Sequence, residues 1–264
     1  IKVTPGSVAF LVFHVAWVAA FFVPVSWQLV ALAAATYAIR MFAVTGGYHR
    51  YFSHRTYRLG RVGQFVMAFL AQSSAQKGVL WWAAQHRLHH RHADLATDQH
   101  SPMNRGFWWS HVGWILSDAH DDFDPALVRD LARYPEIRFI SRHHWICPAV
   151  FGGIILAFGG WAAFVWGFLV STVVLFHCTF TINSLAHLWG TRRYPTPDHS
   201  RNNLFLALIT FGEGWHNNHH ASMHACRQGE RWWEVDLTYY VLRLLNWVGV
   251  VRDIRDRRST GQVA

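Results

Sequence analysis

The stretch ALAAATYAIRMFAVTGGYHRYFSHRTY (residues 31–57) decides the fold, because an apolar helix runs directly into a pair of histidines. The apolar part, near 29–45, has roughly the length of a helix that crosses a bilayer. His49 and His54 follow it five residues apart, which is about 140° around a straight α-helix. Their rings can converge only if the helix ends or bulges there. The stretch therefore predicts a membrane-spanning helix with a metal-ligating pair at its cytoplasmic end.

Two further histidine clusters share the pattern HxxHH, HRLHH at 86–90 and HNNHH at 216–220. Positions i, i+3 and i+4 lie on one face of a helix, so the rings either converge on one point or divide between two neighbouring metals. Asn183 and His187 lie on one face of an apolar helix, where polar groups are costly and indicate function. We expect His187 to be a ninth nitrogen ligand and Asn183 to hold a metal-bound water. The candidate ligands are His49, His54, His86, His89, His90, His187, His216, His219 and His220.

Nine histidines are too many for one zinc, which closes with four ligands, and they suit two metals with open positions for a small molecule such as dioxygen. No cysteine lies in any cluster. Asp94, Asp98 and Glu213 lie near the clusters and could orient the ligand N–H groups. The other ten histidines are expected to be caps or solvent-facing residues, and His111 and His177 are the first of them to check.

The composition favours a membrane protein, because 52% of the residues are apolar and only 15% are charged. The net charge of +9 suits anionic lipid headgroups or an acidic electron-transfer partner. The basic residues lie between apolar spans and form no helix-turn-helix or zinc-finger pattern, so no nucleic acid is expected as a partner. The three cysteines have no CxxC spacing and indicate neither a disulfide framework nor a zinc site.

The hydropathy pattern predicts an all-α, multi-pass integral membrane protein of one domain, 1–264, with four transmembrane helices and a cytosolic helical cap. The spans are expected near 8–25, 29–45, 144–159 and 161–187, and the cap in 46–142 and 189–264. The segment 62–82 is too polar to face lipid and is expected to be a helix at the interface or packed on the enzyme. The distribution of Arg and Lys predicts that the site and both termini are cytoplasmic.

From about Thr45 to Gly249, the sequence resembles the membrane fatty acyl desaturases of the stearoyl-CoA desaturase type. The motifs that carry the resemblance are GGYHRYFSHRTY (46–57), HRLHHRHAD (86–94), GFWWSHVGW (106–114), NSLAHLWG (183–190), GEGWHNNHH (212–220) and RWWEVDLTYY (231–240). The resemblance implies a mushroom of four transmembrane helices below a cytosolic cap that holds two irons. It implies the nine histidine ligands named above and a water-mediated contact from Asn183.

The implied reaction uses dioxygen and two external electrons to place a cis double bond, of the Δ9 type, into a saturated acyl chain. The resemblance assigns Gln76, Trp82 and Thr179 to a kinked substrate tunnel, whose closed end we expect near Ala33 and Tyr37. The chain contains no cytochrome b5 motif and no rubredoxin CxxC. A separate ferredoxin, rubredoxin or cytochrome b5 with its reductase is therefore expected as the electron donor.

One departure from the animal acyl-CoA enzymes concerns the acyl carrier. Ala84 and Gln85 stand where those enzymes have an Arg-Asp pair, and Asp118 and Ala119 where they have an Arg-Lys pair. Loss of phosphate-pairing cations should weaken coenzyme A binding, so acyl carrier protein or a membrane lipid is expected as the carrier. Two alternatives stay open at this stage, a di-iron lipid hydroxylase and a metal-binding membrane protein such as a transporter.

Overall fold

The computed structural model describes residues 4–257, so the ends of the expected domain, 1–3 and 258–264, lie outside the described residues. The α-helices are α1 Pro5–Ala16, α2 Trp27–Phe42, α3 Arg61–Gln72, α4 Val79–His92, α5 Pro102–Trp108, α6 Arg129–Ala132, α7 Pro135–Arg142, α8 Ile146–Phe164, α9 Ser171–Asn183, α10 Leu185–Leu188, α11 Leu204–Ile209, α12 His216–Ala221 and α13 Leu237–Trp247. Trp17–Phe22, Asp118–His120 and Pro125–Val128 are 3-10 helices, and Ala43–Ser53, Trp109–Gly113 and Val165–Val170 are π-helices. The strands β1 Arg58–Leu59 and β2 Val251–Arg252 form one short antiparallel pair. The described residues are thus mostly helical, as expected for an all-α protein.

Within residues 4–257, two helical stretches are long and apolar enough to cross a membrane. Trp27–Ser53 joins α2 to the following π-helix and has a mean hydropathy of 1.6, and Ile146–Leu188 joins α8 to α10 with a mean hydropathy of 2.0. A shorter apolar helix, Gly6–Phe22, precedes them. It begins with a capping box, in which the Thr4 hydroxyl accepts from Ser7 N and the Ser7 hydroxyl accepts from Thr4 N. Membrane association is therefore supported by length and composition.

The second apolar stretch is broken at the predicted place. Gly160 adopts φ 73° and ψ −173° inside α8, a conformation in which a side chain would be strained. The stretch is 43 residues long, about twice the ~20 residues that one span needs. The break divides it into two helical pieces, one on each side of Gly160.

The segment 62–82, expected to be a single helix, instead contributes to two successive helices, α3 and α4, with a turn between them. Ala75 and Lys77 have positive φ in that turn, and a Cβ at Gly78 would lie 2.4 Å from the Ser141 carbonyl oxygen. Gln72 closes the turn with its side chain, which accepts from Val79 N at 2.9 Å and donates to the Ile140 carbonyl at 3.0 Å. The polar residues in the segment thus make a corner that brings α4 against the π-helix Ala43–Ser53.

The largest buried cluster lies where the π-helix Ala43–Ser53 meets the cap. Tyr48 and Phe52 from the π-helix pack there with apolar residues of α3, α4 and α7. The β1–β2 pair closes the same region by joining the residues after the first histidine cluster to the C-terminal segment. This core fixes the first two histidine clusters against each other at the end of an apolar helix.

Candidate metal centre

The nine candidate ligands come together in two groups of imidazoles, and within each group the ligand atoms all lie within 4.8 Å of one another. The five-histidine group contains His49, His54, His86, His90 and His219. The four-histidine group contains His89, His187, His216 and His220. Six of the nine are buried, and His86, His90 and His220 are partly exposed.

Each HxxHH motif divides its rings between the two groups in the same way. On α4, His86 and His90 join the five-histidine group while His89 joins the other. On α12, His216 and His220 join the four-histidine group while His219 joins the other. Residues i and i+4 are only about 40° apart around a helix, whereas i+3 is about 100° from i+4. Of the two arrangements that the spacing allows, the structure has the divided one.

The pair His49 and His54 converges because the helix changes its winding. Residues 43–53 form a π-helix, and His54 N donates to the His49 carbonyl at 3.2 Å, five residues back. Hydrogen bonds from i to i+5 bring residues five apart nearly above each other. The two rings lie 4.9 Å apart between centroids. This is the local bulge that the sequence predicts.

Neighbouring rings face each other through their Nε2 atoms. His54 and His86 are 2.8 Å apart at Nε2, and the His86–His90 and His90–His219 pairs are each 3.0 Å apart. The His187–His216 pair in the other group is also 3.0 Å apart. Two nitrogens bound at right angles to one cation at about 2.1 Å would lie about 3 Å apart. These separations therefore fit two metal sites with nitrogen ligands.

Buried carboxylates fix which nitrogen faces each group. Asp94 lies 2.9 Å from Nδ1 of His187, Asp98 3.1 Å from Nδ1 of His89, and Asp198 2.8 Å from Nδ1 of His220. Each Nδ1–H donates to its carboxylate, which leaves the lone pair of Nε2 free for a metal. The buried Nε2 of His220 has no hydrogen-bond partner, which also fits a ligand role. Asp94 and Asp98 have the orienting role expected from the sequence.

The fourth carboxylate, Glu213, contacts Nδ1 of His49 and also pairs with Arg50 at 3.2 Å. Arg50 in turn pairs with Asp236 at 2.9 Å, and its side chain is only 1% exposed. This buried arginine between two carboxylates was not among the candidates from the sequence, and neither was Asp198. Asp198 lies 22 residues before its partner His220, and no local spacing connects the two.

The charge states fit metal binding. Burial, followed by the neighbouring imidazoles, holds the pKa of His86, His90, His216 and His219 well below the usual value. Burial alone would raise the pKa of Asp198, but its hydrogen bond with His220 lowers it overall. These four imidazoles are therefore neutral, which is the form of histidine that ligates a metal. Asp198 is ionised, so it can accept from the Nδ1–H of His220.

A cavity of about 800 Å³ reaches the metal centre, and its lining includes His86, Asn183 and the predicted tunnel residues Gln76, Trp82 and Thr179. Gln76 donates to the Thr179 hydroxyl at 3.3 Å across it. Trp82 stacks on Tyr48 and on His86, with centroid distances of 5.2 and 5.0 Å. Most of the lining is apolar, which suits a hydrocarbon chain.

Ala33 and Tyr37, the expected closed end, do not line this cavity. The Tyr37 hydroxyl instead bonds to the Ile209 carbonyl, and its ring meets Phe211 edge-on at 6.1 Å. The lining instead includes Phe10 and Phe13 on α1 and Phe176 on α9. The first helix, for which the sequence offered no substrate role, therefore contributes to the cavity wall.

Two imidazole groups beside an apolar cavity, in a helical chain, are the features of a metal site next to a channel for a hydrocarbon chain. A sequence profile of the fatty acid desaturase family matches residues 25–245. The chain is 36% identical over 233 residues to the sn-1 stearoyl-lipid 9-desaturase of Anabaena variabilis, covering 87% of this chain and 85% of that protein. The corresponding enzyme of Synechocystis sp. is 37% identical, with 87% and 73% covered, and the acyl-CoA C20 Delta5-desaturase of Anemone leveillei is 35% identical, with 87% and 75% covered.

The chain therefore belongs to the fatty acid desaturase family, and the desaturase class predicted from the sequence is confirmed. It is an oxidoreductase that desaturates fatty acyl chains, rather than a transporter. The two imidazole groups are compatible with a di-iron site.

Proposed function

We propose that the nine clustered histidines hold two iron ions, and that the protein uses dioxygen to insert a cis double bond into an acyl chain in the adjoining cavity. The observation that carries the proposal is the pair of imidazole groups at one end of an apolar cavity. When bound, an iron pair would activate dioxygen with two electrons from an external donor, and two hydrogens of unactivated methylene groups would leave with the oxygen atoms and two protons as two waters. Side-chain acid–base chemistry alone is too weak for that step.

The protein's own residues position the substrate and exclude water. Gln76 and Thr179, joined across the cavity, fix the width of the channel beside the metal centre. Trp82 covers the His86 ring with its own face and keeps that side of the centre apolar. Asn183 lines the same cavity, and its amide is suited to hold a water on one metal, as the sequence predicts.

Four membrane spans are part of the proposal. The segment Gly6–Phe22 pairs with Trp27–Ser53 as one hairpin, and the two halves of Ile146–Leu188, divided at Gly160, form a second hairpin. Both histidine-bearing ends, at His49 and His187, then lie on one side with the polar cap. The excess of Arg and Lys on that side supports a cytoplasmic site and cytoplasmic termini.

A membrane glycerolipid is the carrier that we propose, with the double bond at position 9. The named activities of the two cyanobacterial relatives support it, although the Anemone relative acts on acyl-CoA. The Gln85 side chain donates to the His120 and Asp122 carbonyls at 3.2 and 2.9 Å, and Ala84 is 1% exposed. Neither position is available to hold a coenzyme A phosphate.

Electrons come from a separate donor in this proposal. The three cysteines of the chain are free and lie apart, and the sequence contains no cytochrome b5 motif. An acidic ferredoxin, a rubredoxin or a cytochrome b5 would dock on the basic cap.

The test is expression in a desaturase-deficient host, with mass spectrometry of the products and iron analysis of the purified protein. We expect a monounsaturated acyl chain with the bond at position 9 and two irons per chain. A hydroxylated product as the main species would replace the desaturase proposal by the hydroxylase. Matched acyl-CoA, acyl carrier protein and phospholipid substrates then identify the carrier, and a clear preference for acyl-CoA contradicts the lipid proposal.

A further inference from the structure

Three histidines outside the metal centre form a continuous chain of hydrogen bonds through the apolar helices. Nε2 of His14 lies 3.0 Å from Nε2 of His177, and Nδ1 of His177 lies 3.1 Å from Nε2 of His111. Nδ1 of His111 lies 3.0 Å from the Ser184 hydroxyl. At the other end, Nδ1 of His14 lies 2.7 Å from the Phe10 carbonyl. All six ring nitrogens therefore have a partner.

The Phe10 end fixes the direction of this chain when the three rings are neutral. The Phe10 carbonyl only accepts, so Nδ1 of His14 carries the hydrogen and its Nε2 accepts from His177. His177 then accepts from His111 at Nδ1, and His111 accepts from the Ser184 hydroxyl, whose oxygen also lies 3.0 Å from the Phe180 carbonyl. Every donor finds an acceptor in this single arrangement. A polar network satisfied in this way holds its members rigidly, because breaking any link leaves a buried polar atom unpaired.

The inner end of the chain lies at the helix break that aims the metal ligands. Ser184 has φ −101° and ψ −73° between α9 and α10, so it separates Asn183 from the turn that carries His187. The neighbouring Ser110 donates to the Asn183 carbonyl at 2.7 Å. Ser110 and His111, both on the π-helix Trp109–Gly113, thus hold the two residues at this break.

The outer end of the chain lies against the wall of the acyl cavity. The His14 ring is 3.9 Å from the ring of Phe10 between centroids, and Phe10 lies 5.8 Å from Phe176. Phe10 and Phe176 both line the cavity. The chain therefore joins the first helix, which contributes a substrate wall, to the segment that contributes Asn183 and His187.

We propose that His14, His177, His111 and Ser184 are positioning residues, which hold the Phe10–Phe176 wall in register with the metal centre and so determine which acyl carbons are desaturated. The inference rests on the desaturase activity proposed above. The residues touch no reacting atom. They act through the phenylalanine rings on one side and through the Asn183–His187 segment on the other.

The test compares His14→Phe with His14→Gln in the full-length, iron-loaded enzyme. Phenylalanine keeps an aromatic ring beside Phe10 but leaves the His177 N–H without an acceptor, whereas the glutamine carbonyl can accept from it. For His14→Phe we expect a kcat/KM about threefold to tenfold lower, the size of one lost hydrogen bond. We also expect products with the double bond at neighbouring carbons, and an unchanged iron content. His14→Gln should restore the parent product, and Leu11→Phe, at a 53% exposed position on the same helix, should not change it.

Ser184→Ala interrupts the chain at its other end and is the second variant, should His14→Phe fail to fold. It should produce the same spread of double-bond positions. A role in helix packing alone would reduce the amount of folded enzyme without moving the double bond. If both ends are altered and the bond position stays that of the parent, the inference is wrong. If the parent enzyme itself forms no unsaturated product, the proposed function fails instead, so the two failures are distinguishable.

Discussion

The two histidine groups are built from the same motif but differ in what surrounds them. In the four-histidine group, three of the four rings donate from Nδ1 to a buried aspartate, namely Asp94, Asp98 or Asp198. In the five-histidine group, His49 alone has such an ion pair within the part of the chain that the structure describes, and its partner Glu213 is shared with Arg50. One site therefore has fewer ligands and more negative charge nearby, and the other has more ligands and less charge. The two groups therefore differ in their surroundings, although the same motif supplies rings to both.

The largest effect should follow from removing a ligand. His216→Ala leaves three imidazoles in its group, and His54→Ala leaves four in the other. We expect His216→Ala to lose one metal per chain and all detectable product. His54→Ala should lose turnover while keeping more of its metal. Metal analysis and product mass spectrometry check this, and equal metal loss in both variants would contradict the difference between the groups.

The next effect concerns folding, because Arg50 balances the charge beneath the five-histidine group. Arg50→Met leaves Glu213 and Asp236 buried without their cation, which typically costs about 3–5 kcal/mol of unfolding free energy. We expect a large fall in the melting temperature of the detergent-solubilised protein. Arg61→Met is the matched control, since Arg61 pairs with Glu136 at the surface with its side chain 66% exposed. An equal fall in the melting temperatures of the two variants would mean that the buried ion pairs of Arg50 stabilise the protein no more than the surface pair of Arg61.

A smaller effect should come from neutralising an orienting carboxylate. Asp198→Asn keeps a group of the same size but weakens the interaction with His220, and changes of this kind cost about 10–100-fold in metal affinity. Competition with a metal chelator measures the affinity. Asp253→Asn, at a carboxylate whose side chain is 63% exposed, should leave it unchanged. If Glu213→Gln weakens binding more than Asp198→Asn, the greater charge around the four-histidine group is not what holds its metal.

The smallest effect is expected at His100. Its ring lies 4.3 Å from His89 between centroids, its Nδ1 has no hydrogen-bond partner, and it forms a third cluster with His89 and Asp98. Because no bond is lost at Nδ1, His100→Leu should leave the metal content unchanged and reduce turnover only slightly. Loss of a metal in this variant would make His100 a tenth ligand.

The sequence predicts much of this site because helical spacing is local information. The HxxHH motifs, the bulge that brings His49 and His54 together, and the helix break at Gly160 all follow from residues close together in the chain. The division of each motif between two groups did not follow, since it depends on how α4 and α12 face each other. Asp198 and Arg50 were missed for the same reason, because their partners are distant in sequence.

The wall of the acyl cavity could not be predicted from the sequence for a different reason. Ala33 and Tyr37 were chosen from helical spacing in the second apolar helix, and that spacing cannot reveal which neighbouring helix fills the space between. Phe10 and Phe13 reach the cavity only because α1 packs beside α9. Residues in an apolar helix resemble one another, so hydropathy alone cannot separate a cavity wall from a lipid-facing surface.

The crossed arrangement of the HxxHH motifs has a consequence for how such a protein can originate. Since α4 and α12 each supply rings to both groups, neither group would be complete in a shorter ancestor that had only one of the helices. Deleting either segment removes ligands from both sites at once. Loss of α4 would leave three rings in each group, whereas loss of α12 would leave four rings in one group and two in the other. A precursor without α12 would therefore keep most of the five-histidine group and only half of the four-histidine group.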